Sequence, residues 1–315
     1  MKFKYVYFDT NFYRDLTKNK TPVQIKSRFS TLAKVGLKKK IDSHIHIYVL
    51  FELLSHLSSD SDPNFLNCKN AILAIIHHCR DTKTKEFKFI NDFDSELIKY
   101  FFNKNRDKTD EVYDICSKLC DYIFIYRDDH YLEGIRQDLK AFTSTVADIE
   151  GDFIYYYKSL INNIEPSVKD WQLNKDDKSM RRKNLRFLNS NEFLNILAKE
   201  EVIRLASLAN VKITEEQIVK YTAFIIRYFL FPLVIKIEII RRIIETGFNL
   251  SKENRSNWFW DIQLASCVYT NKNMNSIPYI FVTSDQGILK IAKKYDLNER
   301  VISKNDYLKL LQIDI

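Results

Sequence analysis

The chain has 315 residues, 45% hydrophobic and 14% aromatic, with only 5 Gly and 5 Pro, which argues against a loop-rich or disordered protein and leaves one large domain or two ordinary ones. A formal net charge of +8 and a pI near 9.0 suit a polyanionic partner, although charge speaks to association rather than to fold. Cys68, Cys79, Cys116, Cys120 and Cys267 are odd in number and form no Cys-x-x-Cys pair, so they read as reduced thiols rather than as a zinc or disulfide framework.

Lys4–Phe8 is a short apolar run expected to form a strand, and it stops at Asp9. A helix is expected over Val23–Leu37, with Ile25, Phe29, Leu32 and Ala33 on one face. Ser43–Tyr48 alternates polar and apolar like a second short strand, and Val49–Leu57 reads as a helix carrying Glu52. Asp60–Asn64 is a turn. From there to about residue 254 the pattern is helical, in stretches near 66–79, 92–103, 109–125, 128–164, 190–209 and 214–247. Thr214-Glu-Glu-Gln217 is a capping-box signature for the last stretch. Its most hydrophobic part, Thr222–Phe248, contains Arg227, Lys236, Glu238, Arg241 and Arg242. A membrane span needs about 20 residues with few or no charges. A long buried helix kinked near Pro232 is expected instead.

Ser256–Thr270 reads as a helix with Asp261 on its early part, preceded by Trp258-Phe259-Trp260, aromatics expected in a core rather than as a base platform. A strand follows at 279–283 and ends in Thr283-Ser284-Asp285. A helix at 286–295, a strand at 300–303 and a helix at 304–312 close the chain. The ends alternate strand and helix, which implies a parallel α/β sheet, because parallel neighbours need a crossover. The expected division is a discontinuous α/β domain, 1–60 with 255–315, interrupted by a large all-helical insertion, 61–254.

In an open parallel sheet ligands bind beyond the carboxyl ends of the strands, where Asp9 and Asp285 stand. Glu52 and Asp261 can join them. Four carboxylates in one cleft repel strongly, by about 4 kcal/mol per pair at 4 Å and an effective dielectric near 20. Proton uptake or a hard cation relieves that. Mg²⁺ favours oxygen ligands and shares them with substrate phosphates. A strand-end acidic cluster in a basic protein therefore points to phosphodiester hydrolysis.

Phe8-Asp-Thr-Asn11, His46-Ile-Tyr-Val-Leu-Phe-Glu-Leu53, Trp260-Asp-Ile-Gln-Leu-Ala-Ser266 and Val282-Thr-Ser-Asp-Gln-Gly-Ile288 resemble, in order, the four motifs of the PIN-domain nucleases. The resemblance covers about 1–58 and 256–312; the long gap between Glu52 and Asp261 departs from compact family members. It implies a three-layer α/β/α sandwich around a central parallel sheet and an Mg²⁺- or Mn²⁺-dependent endonuclease, commonly acting on RNA. Asp9, Glu52, Asp261 and Asp285 would hold the metal, Asn11 would orient Asp9 or a water, and Thr283 would pack beside the site. Such an enzyme serves as a toxin, a defence effector or in RNA processing.

The alternatives are a DNase of the same fold, a non-catalytic nucleic-acid-binding scaffold, or a haloacid-dehalogenase-type phosphatase. The phosphatase wants a second Asp where this chain has Asn11. Arg181, Arg182, Lys183 and Arg186 lie in a basic run expected between helices, a phosphate grip or a solvated loop. Nucleic acid, RNA before DNA, is the expected partner. An inhibitor or regulatory protein and a second copy of the chain are further partners the insertion leaves room for. No targeting or membrane segment is read, and the expected location is cytoplasmic.

Overall fold

A computed structural model describes residues 4–90, 93–105, 109–125, 132–164, 177–246, 257–268 and 279–313. They are mostly helical, with one four-stranded parallel sheet, an α/β arrangement. The chain divides into two compact units. The first comprises 1–92, 107–147 and 272–315; the second comprises 93–106 and 148–271. These lines differ from the expected boundaries at 60 and 255: the sheet's unit takes in helices as far as residue 147.

In the first unit, β1 (Lys4–Phe8) leads through α1 (Thr10–Thr17) and α2 (Pro22–Lys38) to β2 (Ile41–Ser43), α3 (Ile47–Ser55) and α4 (Phe65–Cys79). After α5 (Phe93–Phe102), which belongs to the second unit, come α6 (Thr109–Ile125) and α7 (Arg136–Ile164), whose length straddles the division at 147. The chain returns to the first unit for β3 (Tyr279–Thr283), α13 (Gln286–Lys294), β4 (Val301–Ser303) and α14 (Lys304–Leu311). The strand order is β2-β1-β3-β4, all parallel, with Tyr5 opposite Asp42 on one side and Tyr279 on the other.

Side chains alternate across β1. Tyr7 stacks on Phe281 at 4.8 Å between centroids, while Phe8 meets Phe12, His78 and Tyr307. Tyr7, Phe8, Phe12, Tyr13, Phe281 and Tyr307 are all fully buried. Below Phe8 runs a buried polar chain. Ser43 Oγ lies 3.0 Å from His78 Nε2, His78 Nδ1 lies 3.3 Å from the Tyr13 hydroxyl, and that hydroxyl is 3.1 Å from Cys79 Sγ. All five cysteines are buried free thiols.

Several local readings change. α1 was not expected; Asp9 caps it. His46 caps α3 by accepting from the Tyr48 N–H at 3.2 Å, so the helix starts at Ile47 and the expected strand ends at Ser43. The capping box at Thr214 is formed, and a second one at Thr21 and Gln24 starts α2 behind Pro22.

In the second unit, α8 (Lys178–Leu188), α9 (Asn191–Leu208), α10 (Glu215–Tyr228), α11 (Leu230–Thr246) and α12 (Asn257–Ala265) join α5 and the later part of α7. The basic run expected between helices is therefore helical, capped by Asp177, whose carboxylate accepts from the Ser179 and Met180 N–H groups at 2.9 Å each. The expected kink at Pro232 is instead a break at Phe229 (φ −127°, ψ 40°). Pro232 sits in the first turn of α11, where its missing N–H leaves no helical bond unmade. Phe259 and Trp260 are core residues, and Trp260 Nε1 donates to Glu150 at 2.9 Å. Among the described residues no helix is long and apolar enough to cross a membrane.

Candidate active site

From β1 the chain runs to β2 on one side, while β3 flanks β1 on the other. Asp9 and Asp285 stand at the carboxyl ends of the two strands bordering that switch point, where an open parallel sheet leaves its crevice. Asp9 is 4% exposed, and three donors hold it. Its Oδ1 accepts from the Phe12 N–H at 2.6 Å, the N-cap bond of α1. Its Oδ2 accepts from Thr283 Oγ1 at 2.7 Å and from the Ser284 N–H at 2.9 Å. Thr283 is fully buried, and its hydroxyl oxygen also accepts from the Asp285 N–H at 3.0 Å. One threonine thus ties the two strand ends together. Asp285 caps α13, accepting from the Ile288 N–H at 2.8 Å.

Glu52 projects from α3. Its Oε2 accepts from Thr10 Oγ1 at 2.5 Å, and Arg14 Nη1 lies 4.0 Å from Oε1. Arg14 follows Thr10 by four residues, on the same face of α1. Thr10 directly follows Asp9, so α1 joins the two carboxylates. On the other flank Lys304 Nζ donates to Asp15 at 2.5 Å, and Ser284 Oγ is 3.5 Å from the same carboxylate oxygen.

Burial pushes the Asp9 carboxyl up to about 6, against the pull of its bonds from Thr283, Ser284 and Phe12 and with a further push from Asp15. Burial also raises Glu52, opposed by Thr10, Arg14 and His56 and reinforced by the charge on Asp9. The charge on Asp9 thus makes Glu52 harder to ionise, and a cation beside the two would favour the charged form of each.

The donor set suits a hard cation such as Mg²⁺ or Mn²⁺: carboxylate oxygens with lone pairs in reserve. An ionised carboxylate accepts about four hydrogen bonds, of which Asp9 uses three. No group of three His, Cys, Asp or Glu side chains able to hold a metal ion occurs among the described residues. Mg²⁺ commonly binds through only one or two carboxylates plus waters and substrate phosphates. The residues fit on that count.

Asp9, Glu52, Thr283 and Asp285 thus belong to one linked set in the first unit. Asn11 is exposed on the first turn of α1, and the bonds to Asp9 come from elsewhere. Asp261 lies half-buried on α12, in the second unit. Thr10, Arg14 and Ser284 were missed. Reading α1 as a helix would have put Thr10 and Arg14 on one face; Ser284 acts through its backbone, which side-chain identity does not reveal. Fold and site together define an α/β protein with carboxylates at two adjoining strand ends. No family model, curated protein or solved structure matches the chain.

Proposed function

We propose that this chain is a divalent-metal-dependent endonuclease that hydrolyses phosphodiester bonds in RNA, with the three-layer α/β/α arrangement of the PIN-like nucleases as its finer fold. The observation that carries the reading is the position of Asp9. A buried carboxyl with a raised proton affinity caps a helix at the switch point of a parallel sheet, linked through Thr10 to a second, half-buried carboxyl.

In this reading Asp9 and Glu52, with Asp285 at the next strand end, hold Mg²⁺ or Mn²⁺. The cation supplies charge neutralisation at the scissile phosphate and an acidified water. Thr283 fixes the rotamer of Asp9 by donating to Oδ2, and Thr10 does the same for Glu52. Arg14 offers a guanidinium to a phosphate oxygen at the rim of the pair. Lys304, held by Asp15, offers an ammonium on the opposite flank.

The test is cleavage of labelled tRNA, single-stranded RNA and single-stranded DNA in Mn²⁺, Mg²⁺ or EDTA. Metal-dependent cutting of RNA is expected, falling at least 100-fold in Asp9→Asn and in Asp285→Asn, both of which retain an N-cap side chain. Undiminished cutting by folded Asp9→Asn protein would sink the assignment, and cutting of DNA alone would move the substrate.

A further inference from the structure

We infer that α8 is a phosphate-backbone clamp, gripping an RNA strand through an outward stripe of three cations, Lys178, Arg182 and Arg186. The choice of RNA rests on the nuclease reading; the clamp itself does not use the carboxylate site.

Four-residue spacing places these three side chains successively along one face of α8, with about 6 Å of rise between neighbours and about 12 Å end to end. All three are exposed, while Asn184 and Leu188 on the opposite face are buried. Arg181 is half-buried and lies off the stripe. No acid occurs in the first turn of the helix, and among the described residues no carboxylate pairs with Lys178, Arg182 or Arg186. Elsewhere Lys118 has Asp114, and Arg136 has Glu133 and Asp60.

The cationic surplus continues past the end of α8. The C-cap residue Asn189 accepts from Arg241 Nη2 at 2.7 Å, and one carboxylate, Glu238, serves both Arg241 and Arg242. Arg242 lies over the Trp258 ring at 4.5 Å.

An unpaired row of cations costs self-repulsion, which a polyanion relieves by releasing its counterions. At about 3.4 Å per nucleotide along a strand, 12 Å spans about three phosphates. Such contacts position a strand without reading its sequence. A lipid surface fits less well: an interfacial helix buries an apolar face in the bilayer, and that face of α8 is already packed inside the unit.

The test measures binding in EDTA, so that no strand is cut, using a fluorescent 20-nucleotide oligouridylate and the full chain. Wild type is compared with Lys178→Gln/Arg182→Gln/Arg186→Gln and with a charge-matched control, Lys26→Gln/Lys34→Gln/Lys38→Gln, which removes three exposed lysines of α2. Glutamine keeps helix propensity, and melting curves verify folding. In the stripe variant the Kd at 50 mM KCl should rise at least tenfold, and the slope of log K against log salt should become shallower by about 2, at ~0.7 per lost contact. The control should lose less than threefold.

Equal losses in the two variants, or unchanged binding in the stripe variant, overturn the clamp. So does loss of binding to phosphatidylserine vesicles with RNA binding intact. The two readings fail separately. Stripe-dependent binding without metal-dependent cleavage keeps the clamp and removes the nuclease, and cleavage with a dispensable stripe does the reverse.

Discussion

His46 and Asp9 push the stability of the protein in opposite directions with pH. The His46 and His78 rings are fully buried, and burial lowers both to about 3 from the ordinary 6.5. A depressed histidine stabilises the fold above pH 6.5 and loses that contribution as pH falls towards 3, at about 1.4 kcal/mol per pH unit per ring. The raised Asp9 carboxyl has the reverse sign, since the folded state keeps its proton up to about pH 6. Its burial costs on the order of 3 kcal/mol above pH 6 and nothing below pH 4. His46 Nδ1 accepts from the Tyr48 N–H, which leaves the proton on Nε2, a buried atom without a hydrogen-bond partner. In His46→Asn the cap acceptor is kept and the titrating ring is gone. Between pH 7 and pH 5 the stability difference should move about 2 kcal/mol in favour of the variant; parallel changes in urea midpoints would contradict this. Binding of Mn²⁺ to the carboxylates adds a second expectation. Millimolar Mn²⁺ at pH 7.5 should raise the melting temperature of wild type and leave Asp9→Asn unmoved, because only a ligand of the native state stabilises it.

At the scale of elements, the passage from α2 to β2 is a close backbone fit. A Cβ on Gly36 would stand 2.9 Å from the Ile41 carbonyl oxygen, which is backbone of the neighbouring strand and cannot turn aside. Gly36→Ala gains about 1 kcal/mol of helix propensity and incurs about 1–3 kcal/mol of overpacking. A net loss of up to about 2 kcal/mol is expected in urea unfolding, and a gain would show that α2 shifts freely. What the sequence made legible here followed from local physics. β1 and β3 announce themselves as short β-rich runs, and Thr214 with Gln217 is a capping box readable from four residues. α1 was hidden because Asp9, Thr10 and Asn11 favour turns as readily as a helix start, and only packing of Phe12 and Tyr13 beside Phe8 decides. α8 was hidden because five cations in nine residues mask the few apolar positions that make its inner face.

Across the whole molecule, the two units draw on different kinds of cohesion. The first is built around stacked aromatics on a sheet. The second holds a buried ionic network: Arg204 donates to both Asp94 oxygens at 2.8 and 2.6 Å and also to Glu201, which accepts from Lys236 Nζ at 2.8 Å. The Arg204 and Lys236 charges hold Glu201 well below the usual carboxylate range despite its burial. Removing one partner strands a buried charge, so Glu201→Gln should cost about 3–5 kcal/mol. Glu201→Met with Lys236→Met should cost less than Glu201→Gln alone, and a double variant worse than the single would contradict the account. None of this was legible beforehand, because helical periodicity does not say which charged residue faces inward. The site was legible to a different degree. Acids at strand ends are fixed by topology, so Asp9 and Asp285 could be read. Division of the chain into units depends on packing between distant segments, and it assigns Asp261 to the second unit while Asp9, Glu52 and Asp285 share the first.

Asp9 precedes Thr283 by 274 residues, yet takes its second carboxylate oxygen's donors from Thr283 and Ser284. During synthesis at ~5–20 residues per second, that interval lasts roughly 15–55 seconds. Throughout it β1 has no β3 to pair with, and Asp9 still lacks two of its three donors. A ribosome translating this chain carries an unassembled pair of strand ends until Thr283 and Ser284 have been made. A product that stops before Thr283 never completes it. For an enzyme that cuts RNA, the order of segments would itself protect the message being read.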